Sequence, residues 1–280
     1  MRTINSYDIS SAVLMNVPHL ASVLPKDVYD ALVVARDNES SERGRFILDQ
    51  LVRNADLARE EHLPISQDTG ALWACLEVGP DVELDGDVFI GVNEAMASAS
   101  KSSRLRNSIV RDALFDRTNT GNNAPVIREM HYTDRPGARL QLMLKDGGSD
   151  NASRVVMLNP NDGKQGVIDA VLDCVRDQAA NACAPLVVGV GVGLTFDKVG
   201  TLAKRAMMRP FDVPSSHPEW EEFEQELLAA INATGIGPAG LGGDTTALAV
   251  RVMCAPCHIS SLPVAVNLNG SAMRRITVEL

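Results

Sequence analysis

The 280-residue sequence predicts an α/β fold, a mixed sheet with surrounding helices. Three features carry that reading. Apolar residues recur at helical spacing in the first quarter, short apolar bursts separated by turn residues follow, and helix-period and strand-like segments then mix to the end.

Up to about residue 62, Val28, Leu32 and Val33 and then Phe46, Ile47, Leu51 and Val52 recur with Asp and Glu between them, so this part reads as helical. Residues 72–78 (LWACLEV) and 88–92 are short apolar runs on either side of GPDVELDGD, a turn-rich connection, and both read as strands. Residues 126–132, 140–144 and 155–158 read as further strands, whereas 165–180, 196–208 and the Glu-rich 216–232 have helical periodicity. Apolar stretches complete the pattern at 185–193 (PLVVGVGVG), 246–253 and 259–266. With no repeat, low-complexity segment or clear linker, we expect one domain over residues 1–280.

Hydrophobic residues at 45% and charged residues at 22% are near globular averages, and a chain this long buries roughly 75% of its unfolded surface. The net charge of −10 repels phosphate backbones and anionic lipid, which argues against nucleic-acid and membrane partners. No apolar run approaches the roughly 18 residues of a membrane span, and the first residues lack a signal-peptide pattern. Five cysteines, an odd number, suggest reduced thiols and a cytoplasmic protein.

Several motifs carry candidate chemistry. Glycine-rich runs at 147–151, 189–193 and 235–243 allow either tight turns or close approach of backbone N–H groups to an anion. The GVGVG run places its third glycine one residue too early for a dinucleotide loop. Cys254-Ala255-Pro256-Cys257-His258 has the spacing of a haem-attachment or redox dithiol motif, but it follows a strand-like run. Small thiols packed beside a strand, or metal ligands, remain open readings. Ser66-Gln67-Asp68-Thr69-Gly70 offers a carboxylate flanked by amide and hydroxyl groups, or an ordinary Asx turn. Arg104 and Arg106 can clamp a carboxylate or solvate a helix face, and His258 can be a ligand or a hydrogen-bonded core histidine.

Taken together, these segments resemble the N-terminal domain, or separate α subunit, of class I fumarases and L-tartrate dehydratases. The ordered matches are Gln67-Asp68-Thr69-Gly70, Leu105-Arg106, Asn119-Thr120-Gly121-Asn122-Asn123-Ala124-Pro125, Gly147-Gly148-Ser149-Asp150-Asn151, Asn181-Ala182-Cys183, Gly235-Ile236-Gly237-Pro238, Gly240-Leu241-Gly242-Gly243, His258 and Leu262-Pro263-Val264-Ala265-Val266-Asn267. The resemblance implies the fumarase-type α domain fold, a lyase acting on a fumarate-like dicarboxylate, and a β-subunit partner in an α2β2 assembly. It also implies that Gln67, Asp68, Arg106 and His258 contact substrate, with Asp68 and His258 catalytic.

In that family three cysteines hold a [4Fe-4S] cluster whose open iron acts as a Lewis acid. Cys183 matches one of the three positions, whereas Ser66 and Gly270 stand at the other two. A serine oxygen replaces a soft thiolate poorly and glycine has no side-chain donor. We therefore expect no cofactor and a divergent, cluster-free addition or elimination at a C=C bond beside a carboxylate. The alternatives are an ordinary cluster-dependent hydro-lyase with substitute ligands, such as Cys254 and Cys257, or an inactive dicarboxylate-binding paralogue.

Overall fold

A computed structural model describes residues 2–280. Asn5 starts the first helix with a capping box: its side chain accepts from the N–H groups of Tyr7 and Asp8, and Asp8 accepts from Asn5 N–H at 2.9 Å. In chain order the elements are β1 (Arg2–Ile4), α1 (Ser6–Ser22), α2 (Lys26–Asn38), α3 (Glu42–Glu61), β2 (Ala71–Val78), β3 (Val82–Leu84), α4 (Val92–Ser102), β4 (Ile127–Tyr132) and β5 (Ala138–Lys145). There follow α5 (Gly147–Asn151), β6 (Arg154–Leu158), α6 (Gly163–Gln178), β7 (Leu186–Leu194), α7 (Val199–Ala206), α8 (Pro218–Asn232), β8 (Ala247–Cys257), β9 (Leu262–Asn269) and β10 (Arg274–Glu279). The mixed α/β class and the helical first 62 residues agree with the sequence reading, apart from β1. Residues 88–92 correct it. They form turns leading to Gly91, whose φ of +82° caps α4, so Val88 and Val92 enter the core without making a strand while Ile90 is exposed.

Internal contacts divide the chain into two compact units interleaved in sequence. The first holds the described residues up to Pro25, Asn54–Gly147 and Arg274–Leu280. Its main sheet has the order β10-β5-β2-β4, with β2 and β4 parallel and the other pairs antiparallel, and β1 pairs with β3 in a second, parallel sheet. Alternation along β2 and β5 sends Leu72, Leu76, Leu140, Leu142 and Leu144 to one face. There they pack with Val13 and Val17 of α1 and Met96 of α4. The opposite face carries Trp73, Cys75, Glu77, Gln141 and, on the edge strand, Glu129 and His131.

The second unit holds Lys26–Arg53 and Gly148–Met273. Its sheet has the order β6-β9-β7-β8, with β7 and β8 parallel and the rest antiparallel. Val171 and Val175 of α6 and Phe223, Leu227 and Ile231 of α8 cover one face, against Val188, Val190, Val252, Val266 and Leu268. Against the other face lies α7, whose Val199 and Ala203 pack on Ala265 of β9. The GVGVG run is explained by this packing. A Cβ at Gly189 would stand 2.1 Å from the Ala203 carbonyl oxygen, and one at Gly191 2.5 Å from that of Val199. Glycine therefore lets the α7 backbone lie directly on β7.

Candidate active site

The turn before β2 builds a polar cluster in the first unit. Asp68 Oδ1 accepts from Gly70 N–H at 2.9 Å, and Oδ2 accepts from Gly147 N–H at 3.0 Å, just after β5. Ser66 Oγ accepts from Asp68 N–H at 3.2 Å. Gly70 is required: at φ +74° an added Cβ would stand 2.2 Å from the Lys145 carbonyl oxygen. This close approach lets the turn reach the end of β5.

Arg106 Nη2 lies 3.9 Å from Asp68 Oδ1, with its side chain 56% exposed. Its backbone is fixed from two sides, because the Arg106 carbonyl accepts from Thr69 Oγ1 at 2.6 Å and from the buried Asn123 amide at 3.2 Å. Asn123 Oδ1 in turn accepts from Ser108 N–H at 2.7 Å. The Asn-rich motif thus holds the segment that presents an exposed guanidinium. Gln67 is exposed beside Asp68.

Beneath the turn lies Arg274, fully buried. It donates to the Asp68 carbonyl at 2.8 Å and pairs with Asp146. Burial pushes the Asp146 carboxyl up, Arg274 opposes the rise and the Asp68 charge adds to it. Arg274 Nε and Nη1 have no hydrogen-bond partner among the described residues. Sequence reasoning missed Thr69, Asn123, Asp146 and Arg274 as groups that position this turn.

In the second unit, Cys183 and Gly270 meet. Cys183 is exposed with φ +56°, and its carbonyl accepts from Ser271 N–H at 3.1 Å. A Cβ at Gly270 would stand 2.5 Å from the Ala182 oxygen, 2.8 Å from the Cys183 oxygen and 2.9 Å from Cys183 Cβ. The local backbone therefore leaves no room for a side chain at position 270.

His258 lies elsewhere. It follows β8, its Nδ1 is 2.7 Å from Ser260 Oγ, and it lines a groove of about 620 Å³ with Lys164, Trp220, Phe223 and Cys257. The eight residues of β9, about 26 Å of extended chain, run between this turn and Gly270. Hence His258 and Cys183 of one chain cannot touch the same small ligand. Cys254 and Cys257 share that distant end, opposite Val192 and Leu194 of β7, whereas Cys183 precedes Leu186. They lie within β8 itself, and burial together with Cys257 raises the Cys254 thiol, the reverse of an activated dithiol.

The structure thus brings Ser66, Gln67, Asp68 and Arg106 together in one unit and Cys183 with Gly270 in the other, and it separates His258 from Cys183. Comparison with known proteins gives the cluster a context. The family model described as "Fumarate hydratase (Fumerase)" matches residues 11–279. A Methanocaldococcus jannaschii protein, named provisionally as an L(+)-tartrate dehydratase subunit alpha, is 34% identical over 273 residues, covering 95% of each chain. The L(+)-tartrate dehydratase subunit alpha of Escherichia coli strain K12 is 30% identical over 263 residues, covering 92% of this chain and 86% of its own length. The protein of the same name from Shigella boydii serotype 4 matches equally. The motifs and these matches agree over nearly the whole sequence, and the chain belongs to the fumarate hydratase family of hydro-lyases.

Proposed function

We propose that this chain is the α subunit of a fumarase/tartrate-dehydratase-like lyase, working with a β subunit in an α2β2 assembly on a fumarate-like dicarboxylate. The observation that carries the reading is the Asp68–Arg106 pair on a turn held by Thr69, Asn123 and Arg274. The relatives' designation as alpha subunits supports a β partner. Cysteines without disulfides fit a reducing cytoplasm, and no helix among the described residues is long and apolar enough to cross a membrane.

The chemistry follows from the residue types. Arg106 offers a planar fork of donors to one substrate carboxylate, and Gln67 supplies an amide beside it. Asp68 takes the proton from the carbon next to a carboxylate in elimination and returns it in addition. The group leaving the neighbouring carbon needs an acid, which we assign to the β subunit.

We further propose that the site works without a [4Fe-4S] cluster. Of the three ligand positions, Ser66 offers a hard oxygen, Gly270 offers nothing, and only Cys183 keeps a thiolate. The crowding at Gly270 and the distance of Cys254 and Cys257 from Cys183 along β7 argue against substitute ligands. Without a Lewis acid, hydroxide is a poor leaving group, so the reading favours a better leaving group or a stronger nucleophile than water.

Calorimetric titration of the α chain and of the αβ complex with fumarate, L-malate and L(+)-tartrate tests substrate class. We expect saturable binding of at least one of them, weakened roughly tenfold or more by Arg106→Ala. No binding of any C4 dicarboxylate to the complex overturns the proposal, and binding without turnover favours an inactive paralogue.

A further inference from the structure

The main sheet of the first unit gives one face to the α1/α4 core and leaves polar side chains on the other that the proposed substrate chemistry does not use. Cys75 of β2 pairs with Glu129 of the parallel strand β4, and His131, two residues further along β4, shares that face. Cys75 Sγ, a carboxylate oxygen of Glu129 and a ring nitrogen of His131 all lie within 4.8 Å of one another. His131 Nε2 is 3.4 Å from Glu129 Oε2. Among the described residues this is the one trio of such side chains whose ligand atoms converge. A tetrahedral ion with bonds of about 2.0–2.3 Å spaces its ligand atoms roughly 3.3–3.8 Å apart, so the trio needs only small side-chain adjustments to close on one.

A second observation comes from the other neighbour of Cys75. Gln141 of β5 is paired with Cys75 and is only 9% exposed. Its amide nitrogen lies 3.5 Å from Glu77 Oε1, while its own Oε1 has no hydrogen-bond partner among the described residues. A buried amide oxygen in that state is costly, and an ion or an ion-bound water on this face would satisfy it. Access comes from the edge strand: the Glu129 and His131 side chains are 25% and 32% exposed.

We propose that Cys75, Glu129 and His131 form a site for a Zn2+-type divalent cation, with Gln141 Oε1 as fourth ligand or as acceptor from a bound water. One thiolate, one imidazole and one carboxylate suit a borderline ion; Mg2+ and Ca2+ prefer all-oxygen sites. The ion would pin edge strand β4 to β2. This proposal stands independently of the reading of the Asp68–Arg106 cluster.

The test is to strip the 280-residue chain with a chelator and titrate it with Zn2+ alone against a chromophoric chelator. We expect one equivalent to bind, and Co2+ in its place to give a thiolate-to-cobalt charge-transfer band in the near ultraviolet. His131→Ala and Glu129→Gln, both at the accessible edge, should each weaken Zn2+ by at least roughly tenfold. Cys75→Ser should remove the Co2+ band, and Cys254→Ser/Cys257→Ser should leave affinity unchanged. The edge variants keep the test decisive if the buried serine variant does not fold. Absence of stoichiometric Zn2+ binding, or full affinity in His131→Ala, overturns the proposal.

Discussion

Gly270→Ala tests the crowding beside Cys183 directly. The added Cβ would meet the Ala182 oxygen at 2.5 Å, the Cys183 oxygen at 2.8 Å and Cys183 Cβ at 2.9 Å. None of these is the end of a flexible side chain, and the Cys183 carbonyl is tied by Ser271 N–H at 3.1 Å. Relief therefore requires backbone movement on one side or the other. Overpacking of this kind costs about 1–3 kcal/mol, and the immobile neighbours place it in the upper half, about 2–3 kcal/mol. With an m-value of roughly 3 kcal/mol/M, the urea midpoint should fall by about 0.7–1 M at unchanged m. Gly200→Ala in α7 is the matched control, since a Cβ there meets nothing within 4 Å. It should be neutral or stabilising by less than about 1 kcal/mol. If Gly270→Ala is as stable as the parent, position 270 has room for a side chain, and the steric argument against a ligand there is wrong.

Two further outcomes follow from the first unit. Asp68→Asn keeps the volume but replaces one acceptor oxygen with an NH2 donor facing a backbone N–H, so it should cost about 1–2 kcal/mol of stability. Turnover of the αβ complex should fall by roughly a hundredfold or more in steady-state kinetics, and an unchanged kcat removes Asp68 from the chemistry. Arg274→Met removes the buried cation that pairs with the Asp146 carboxylate and should cost about 3–5 kcal/mol at pH 7. Because burial already lifts the folded-state pKa of Asp146 and Arg274 opposes that lift, removing Arg274 raises it further above the unfolded value. The penalty is then absent below the unfolded pKa, about 3.9, and grows as pH rises toward the folded one. Chemical denaturation should show a smaller deficit at pH 4 than at pH 7, and a larger deficit at pH 4 would contradict this.

Much of the fold was legible because local pattern and burial agree. Leu72, Ala74 and Leu76 of β2, and Leu140, Leu142 and Leu144 of β5, bury one face of a strand, and α8 carries Phe223, Leu227 and Ile231 at helical spacing. The run 88–92 misled because Val88 and Val92 are buried through a turn and a helix start, which give no period to read. The pairing of β1 with β3 links three-residue strands about 80 positions apart and leaves no local signature. The segment 274–279 forms β10 beside β5, also unread, with its first residue an arginine buried under the turn at Asp68.

The site divides in the same way. Asp68 and Arg106 stood out only through the family's motif order, because a carboxylate in a turn and an exposed arginine are common. Thr69, Asn123 and Arg274 position them through backbone carbonyls, a partnership that residue identity does not encode. Sequence order also hid the separation of His258 from Cys183, since their segments approach β7 from opposite ends.

The central claim is a dicarboxylate site that does its work without an iron–sulfur cluster. Iron and acid-labile sulfide content, measured with the visible spectrum on protein produced and purified without oxygen together with its β subunit, tests it most directly. No stoichiometric iron and no charge-transfer absorbance are expected. About four irons and four sulfides per α chain would contradict it and return the chain to ordinary cluster-dependent hydration chemistry.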